Sequence, residues 1–113
     1  MLGLNFGRDI FFYAQPTDMR KSFDGLCGLI RNHLQMNPVT DGVFVFINRR
    51  RDRMKILLFD RHGFWLLYKR LEEGRFELPS ASSCSLPAEN LALILEGIDL
   101  SSIRRRKRFT LPC

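Results

Sequence analysis

The chain has 113 residues, of which 45% are hydrophobic and 27% are charged, and its formal net charge is +6. This composition suits one globular domain with a single core, and it excludes a disordered or fibrous chain. No apolar run approaches the ~20 residues that cross a bilayer and no signal peptide opens the chain, so we expect a cytoplasmic protein with no membrane partner.

The first predicted elements are a strand over residues 10–14 and a helix over residues 19–35. Thr17 or Asp18 suits the helix N-cap, where a side-chain oxygen accepts an orphan backbone N–H. Apolar residues recur along the helix at spacings of three and four, which predicts one stripe that lies on a sheet. That stripe consists of Met19, Phe23, Leu26, Leu29 or Ile30, and Leu34.

Residues 43–75 predict a three-strand meander. The first run, VFVFI, places valine and isoleucine on one face and phenylalanine on the other, because side chains alternate along a strand. Both faces are apolar, which is typical of a central strand covered on both sides. The following turns are predicted at residues 49–52 and 60–63, and the following strands at residues 54–60 and 64–71.

The C-terminal part adds a short extended piece, a second helix and a tail. Ser85 suits an N-cap before Pro87, and Gly97 suits the end of a strongly apolar helix. The prediction is an α+β domain over residues 1–100, with a mainly antiparallel sheet and two helices packed on it, and a basic tail over residues 101–113. The expected core includes Phe12, Phe23, Leu26, Val45, Ile56, Leu58, Leu66 and Leu93.

Positive charge is concentrated at one predicted hairpin tip and in the tail. The tip carries Arg49, Arg50, Arg51, Arg53 and Lys55, and the tail carries Arg104, Arg105, Arg106, Lys107 and Arg108. Clustered cations of this kind suit a polyanion, because each neutralised phosphate releases counterions, and a β-ribbon fits the DNA major groove. The alternatives are a solvated turn, with Asp52 paired to Arg49 or Arg53, and a tail that only keeps the chain soluble.

Catalysis, cofactors and small-molecule substrates are not expected. The aspartates that a metal nuclease would use are Asp18, Asp24, Asp52 and Asp60. Each has an ordinary explanation as a cap, a turn residue or, for Asp24, an ion pair with Arg20 one helical turn earlier. The two histidines and three cysteines lack metal-ligand spacing, so the cysteines are interpreted as reduced thiols and no metal is predicted.

Three long blocks resemble a known family. They are TDMRKSFDGL at residues 17–26, VFVFINRRRDRMKILLFDRHGFWLLYKRLEEGRF at residues 43–76, and LALILEGIDL at residues 91–100. In this order and spacing they resemble the TnpB-type accessory proteins that bacterial insertion sequences carry beside a separate DDE transposase. The similarity covers nearly the whole chain, and it does not concern the RNA-guided nuclease that shares the name TnpB.

The resemblance implies a non-catalytic accessory factor of transposition. Together with the two basic clusters it predicts that the protein contacts DNA through the hairpin tip and the tail. The alternative is an adaptor that docks on the transposase through exposed aromatic residues such as Trp65 or Tyr68, without touching DNA. DNA and the element's transposase are therefore the two expected partners.

Overall fold

A computed structural model of the chain describes residues 8–77 together with residues 85 and 86. Within these residues one sheet contains β1 (Ile10–Phe12), β2 (Val43–Ile47), β3 (Arg53–Asp60), β4 (Gly63–Arg70) and β5 (Ser85–Leu86), in the order β4-β3-β2-β1-β5. The helix α1 (Phe23–Leu29) continues directly into a π-helical turn (Ile30–Leu34). Strands and a packed helix agree with the predicted α+β class.

β2 is central and entirely buried, as its two apolar faces predict. It pairs antiparallel with β3, and β3 pairs antiparallel with β4, so these three strands are neighbours in chain order. The short turn between β3 and β4 sets Asp60 opposite Gly63 and therefore Lys55 opposite Tyr68. On its other side β2 pairs in parallel with β1, because the helix carries the chain back across the sheet before the next strand begins.

The two faces of the sheet form two hydrophobic clusters. On the helix face, Phe44, Phe46 and Leu57 pack against Leu26 and Ile30. The opposite face is formed by the alternate residues of the same strands and by Phe76 from the segment after β4. Its buried members are Ile10, Phe12, Val43, Val45, Ile47, Met54, Ile56 and Phe76.

The predicted start of the helix is wrong by four residues. The helix begins at Phe23, with Ser22 rather than Thr17 or Asp18 at the N-cap. The preceding segment is held in a different conformation, since the backbone N–H of Thr17 donates to the carbonyl of Ile47 at 2.9 Å. Phe23, which was predicted to be in the core, therefore lies in the first turn of the helix and is 42% exposed, whereas the other members of the predicted stripe pack on the sheet.

Other expected core residues are confirmed in part. Phe12, Leu26, Val45 and Ile56 are buried. Leu58 and Leu66 are half-buried and pack at the borders of the two clusters. The second predicted helix, Leu93 and the tail lie outside the described residues. In the described part of the chain, no helix is long and apolar enough to cross a membrane.

Two glycines give a paired prediction for stability. A Cβ at Gly42 would lie 2.5 Å from the backbone oxygen of Asp9 and 2.8 Å from the Phe11 ring, at the start of the β1–β2 pairing. We expect Gly42→Ala to lower the free energy of unfolding by about 3 kcal/mol, since backbone cannot move aside cheaply. A Cβ at Gly28 in α1 would meet nothing within 4 Å. Gly28→Ala should therefore raise the free energy of unfolding by about 0.5–1 kcal/mol through helix propensity.

Urea unfolding of both variants measures this contrast. Equal stability of the Gly42→Ala variant and the parent would contradict the close strand approach described above.

Candidate functional site

The turn between β2 and β3 is fixed by one asparagine. The Asn48 side-chain oxygen accepts the backbone N–H groups of Asp52 and Arg53, both at 3.0 Å, and its amide donates to the Asp52 carboxylate at 2.7 Å. This bond lowers the pKa of Asp52. The ion pair of Asp52 with Arg49 or Arg53, which the alternative of a solvated turn included, is absent among the described residues, because the carboxylate is turned toward Asn48 instead. The turn is thus rigid without using an arginine side chain.

The segment after β4 supports the turn from behind. The backbone N–H of Phe76 donates to the carbonyl of Arg51 at 2.7 Å, and that of Leu71 donates to the carbonyl of Asp52 at 2.8 Å. Because Phe76 is fully buried, these bonds anchor the turn to the core. The side chains of the turn are therefore presented from a fixed backbone.

Four arginines project from this turn, and we call Arg49, Arg50, Arg51 and Arg53 the basic tip. The first three are exposed and the fourth is half-buried. In the part of the chain that the structure describes, Arg49, Arg50 and Arg51 make no ion pair with a carboxylate. The guanidinium of Arg53 donates to the hydroxyl of Tyr68 at 3.3 Å. The basic tip therefore presents the guanidinium groups of Arg49, Arg50 and Arg51 to solvent without a direct ion pair to any described carboxylate.

Arg51 occupies an unusual backbone conformation. Its φ is +63°, in the left-handed region where glycine and asparagine are favoured. The turn between β3 and β4 repeats this feature, since Arg61 has a φ of +48°. A non-glycine residue in this region costs roughly 1–2 kcal/mol, so each turn accepts a strained arginine where glycine would fit better.

Lys55 was predicted to belong to the basic tip, but the structure separates it from the other four residues. It lies on the helix face of β3 and is 6% exposed. Its ammonium donates to the carbonyls of Met19 and Lys21, both at 2.7 Å, and lies 4.7 Å from the centre of the Tyr68 ring. Lys55 thus fastens the segment before α1 to the sheet, and its charge does not face solvent.

The segment that Lys55 holds carries an exposed ion pair. Arg20 donates through its Nη2 and Nε atoms to the carboxylate of Asp18, at 2.7 and 3.0 Å. That bond, followed by the backbone N–H of Arg20, lowers the pKa of Asp18 to about 2. The predicted pair of Arg20 with Asp24 does not form, because Arg20 precedes the helix and turns back to Asp18.

The basic tip and this segment enclose a cleft of about 630 Å³, which we call the arginine cleft. It is lined by Thr17, Asp18, Met19, Arg20, Asn48, Arg49, Arg50, Asp52, Arg53 and Tyr68. Four of these side chains are arginines. They outnumber its two carboxylates, Asp18 and Asp52, so the formal charge of the lining is positive.

The other predicted site residues lie in the tail. Arg104, Arg105, Arg106, Lys107 and Arg108 are outside the described residues. Asn48, Arg20 and the role of Tyr68 in the cleft were not predicted. The sequence does contain the signal for Tyr68, since a two-residue turn after Asp60 sets Tyr68 opposite Lys55 on the neighbouring strand.

Comparisons with known proteins identify one family and two relatives. The family model for IS66 Orf2-like proteins matches residues 8–105. Two uncharacterised proteins of Sinorhizobium fredii (strain NBRC 101917 / NGR234) are similar to the chain. The protein y4jC is 32% identical over 108 residues, covering 94% of this chain and 92% of the relative. The protein y4hO is 38% identical over 86 residues, covering 74% of each. No solved structure matches the chain.

Proposed function

The chain belongs to the IS66 Orf2-like family of TnpB-type transposition accessory proteins, and we propose that it assists transposition by contacting DNA through the basic tip. Membership of the family identifies the process as transposition. The observation that supports DNA contact is the group of three exposed guanidinium groups, none in an ion pair with a described carboxylate, on a turn whose backbone is held by Asn48 and Phe76. Arginine suits phosphate oxygens because its planar fork donates two parallel hydrogen bonds.

The balance of charge at the tip is a second argument for this proposal. Arg49, Arg50, Arg51 and Arg53 outnumber the one carboxylate of the turn, Asp52, which accepts a hydrogen bond from the Asn48 amide. Positive charge therefore prevails at the outer end of the β2–β3 hairpin. We further propose that the tail, Arg104 to Arg108, contacts the phosphate backbone of DNA without a preference for its sequence.

A salt series tests the proposal. Purified protein is mixed with labelled duplex DNA from the end of an insertion sequence of this class, and anisotropy is measured as salt is raised. If the protein contacts DNA phosphates, a plot of log affinity against log salt concentration should be a falling straight line. Its slope should be about −0.9 for each phosphate contact. Absence of binding at the lowest salt would contradict the proposal.

Arg51 gives a sharper prediction because its stability and binding effects differ in sign. We expect Arg51→Gly to keep or slightly raise the free energy of unfolding, within about 1 kcal/mol, since glycine relieves the left-handed strain. The same change should weaken duplex binding by roughly eightfold at 0.1 M salt, the contribution of one phosphate contact.

The matched control is Arg61→Gly at the other turn. Its φ is also positive, so stability should change in the same direction, while DNA affinity should stay unchanged. Urea unfolding and anisotropy measure the two quantities. Equal affinity of the Arg51→Gly variant and the parent would remove Arg51 from the proposed contact.

A second candidate function is an adaptor for the transposase. Trp65 is 59% exposed and lies on β4, an edge strand of the sheet. Trp65 and Tyr68 lie on opposite faces of β4, so an adaptor would use Trp65 and the strand edge rather than one aromatic patch. Co-purification with the transposase that survives nuclease treatment and is lost in a Trp65→Ala variant would support it.

A further inference from the structure

We propose that the arginine cleft binds an unpaired nucleotide, with the base stacked on Tyr68 and the phosphate held by Arg49 and Arg50. This inference rests on the proposed DNA contact and specifies which DNA structure the cleft prefers. It follows from the position of an aromatic ring beside guanidinium groups in one concave site.

Tyr68 is held as a platform. Its ring lies over the Lys55 ammonium, 4.7 Å from the ring centre, and its hydroxyl accepts a hydrogen bond from Arg53 at 3.3 Å. The side chain is nevertheless 51% exposed. Because Lys55 covers one face of the ring, the face that is open to a ligand is the opposite one. A base that stacks there meets a ring that is already oriented.

Arg49 and Arg50 supply the charge that a phosphate requires. Both line the cleft with Tyr68, and neither makes an ion pair with another side chain in the described ranges. Arg20 also lines the cleft, but its guanidinium is bound to Asp18. The cleft volume of about 630 Å³ falls within the range of roughly 300–1,000 Å³ that small-molecule sites occupy. The cleft is therefore large enough for a single nucleotide.

The stacking ring distinguishes an unpaired base from a base pair. In a duplex both faces of every internal base are covered by neighbouring bases, so a ring in the wall of a cleft cannot stack on them. Exposed guanidinium groups alone would bind the phosphates of a duplex and of a single strand. The arginines then give general affinity, and Tyr68 gives preference for a single-stranded end or a displaced base.

Anisotropy with three labelled DNAs tests the preference on the full chain. The probes are a blunt duplex, the same duplex with a short single-stranded extension, and that extended duplex with abasic residues in the extension. The parent protein should bind the extended duplex more tightly than the other two. Tyr68→Leu should weaken binding of the extended duplex by roughly tenfold, since one base stacked on an aromatic ring contributes at about this level. It should leave binding of the abasic probe unchanged.

Trp65→Leu is the matched control, because Trp65 is an exposed aromatic residue on the other face of the same strand. It should not change the affinity for any of the three probes, and thermal unfolding should show that both variants are folded. Equal binding of the extended and abasic probes by the parent would overturn the inference, and so would equal losses in the two variants. If nucleotide binding in the cleft fails this test but the blunt duplex still binds in a salt-dependent way, the proposed DNA contact stands. If no probe binds, both the DNA contact and the nucleotide site are contradicted.

Discussion

Replacing Arg49 and Arg50 with glutamine is expected to weaken duplex DNA binding by roughly sixtyfold at 0.1 M salt. Each phosphate contact contributes about 0.9 to the slope of log affinity against log salt, which is roughly eightfold in affinity for a tenfold change in salt. The loss of two contacts therefore weakens binding by the product of two eightfold factors, and it should reduce the slope by the sum of two contributions, about 1.8. The turn itself should persist, because Asn48 and backbone groups hold it.

A charge-matched control separates local contact from overall charge. Arg31 follows α1 in the π-helical turn and Arg61 lies in the opposite turn of the sheet, and both are exposed. Replacing these two with glutamine removes the same charge. It should reduce the slope by less than about 0.9, which is the contribution of one phosphate contact. Anisotropy over a salt series measures both double variants. Equal slopes would mean that the protein binds through its net charge rather than through the basic tip.

Lys55→Met is expected to lower the free energy of unfolding by about 2 kcal/mol. The change removes the donor to two backbone carbonyls that hold the segment before α1, and methionine fills the volume without replacing either bond. The ring of Tyr68 also loses the cation beneath it. The effect is expected to be large because Lys55 is buried beneath the segment before α1 rather than exposed in a turn.

Lys21→Met is the control for this prediction, since Lys21 is an exposed lysine in the very segment that Lys55 binds. Its effect on the free energy of unfolding should stay within about 0.5 kcal/mol. Urea unfolding measures both, and backbone amide exchange in residues 17–22 should accelerate in the Lys55→Met variant alone. A Lys55→Met protein as stable as the parent would mean that the two carbonyl bonds contribute little.

Alternation along the strands was the most informative part of the sequence. It predicted β2 as a buried central strand, and it placed the two turns of the hairpins within a residue of their observed positions. These features depend on local patterns, because the two-residue period and the turn residues lie next to each other in the chain.

Features set by contacts distant in sequence were missed. The helix begins at Phe23 because Lys55, 34 residues after Lys21 in the chain, binds the preceding segment. Lys55 was predicted to belong to the basic tip because of its charge. Its position two residues before Leu57 places it on the same face of β3 as Leu57, which is the apolar face that packs against the helix. The arginine cleft could not be predicted, since it forms only when residues 17–20 pack against the basic tip.

Chemical-shift mapping would show which residues contact DNA. Two-dimensional amide spectra of the full chain would be recorded as duplex DNA from an insertion-sequence end is added at low salt. If the basic tip contacts DNA, the largest changes should fall at residues 48–53, with smaller changes at residues 17–20 and Tyr68. Shifts confined to Trp65 and the outer edge of β4, or an unchanged basic tip while DNA is bound elsewhere, would contradict it.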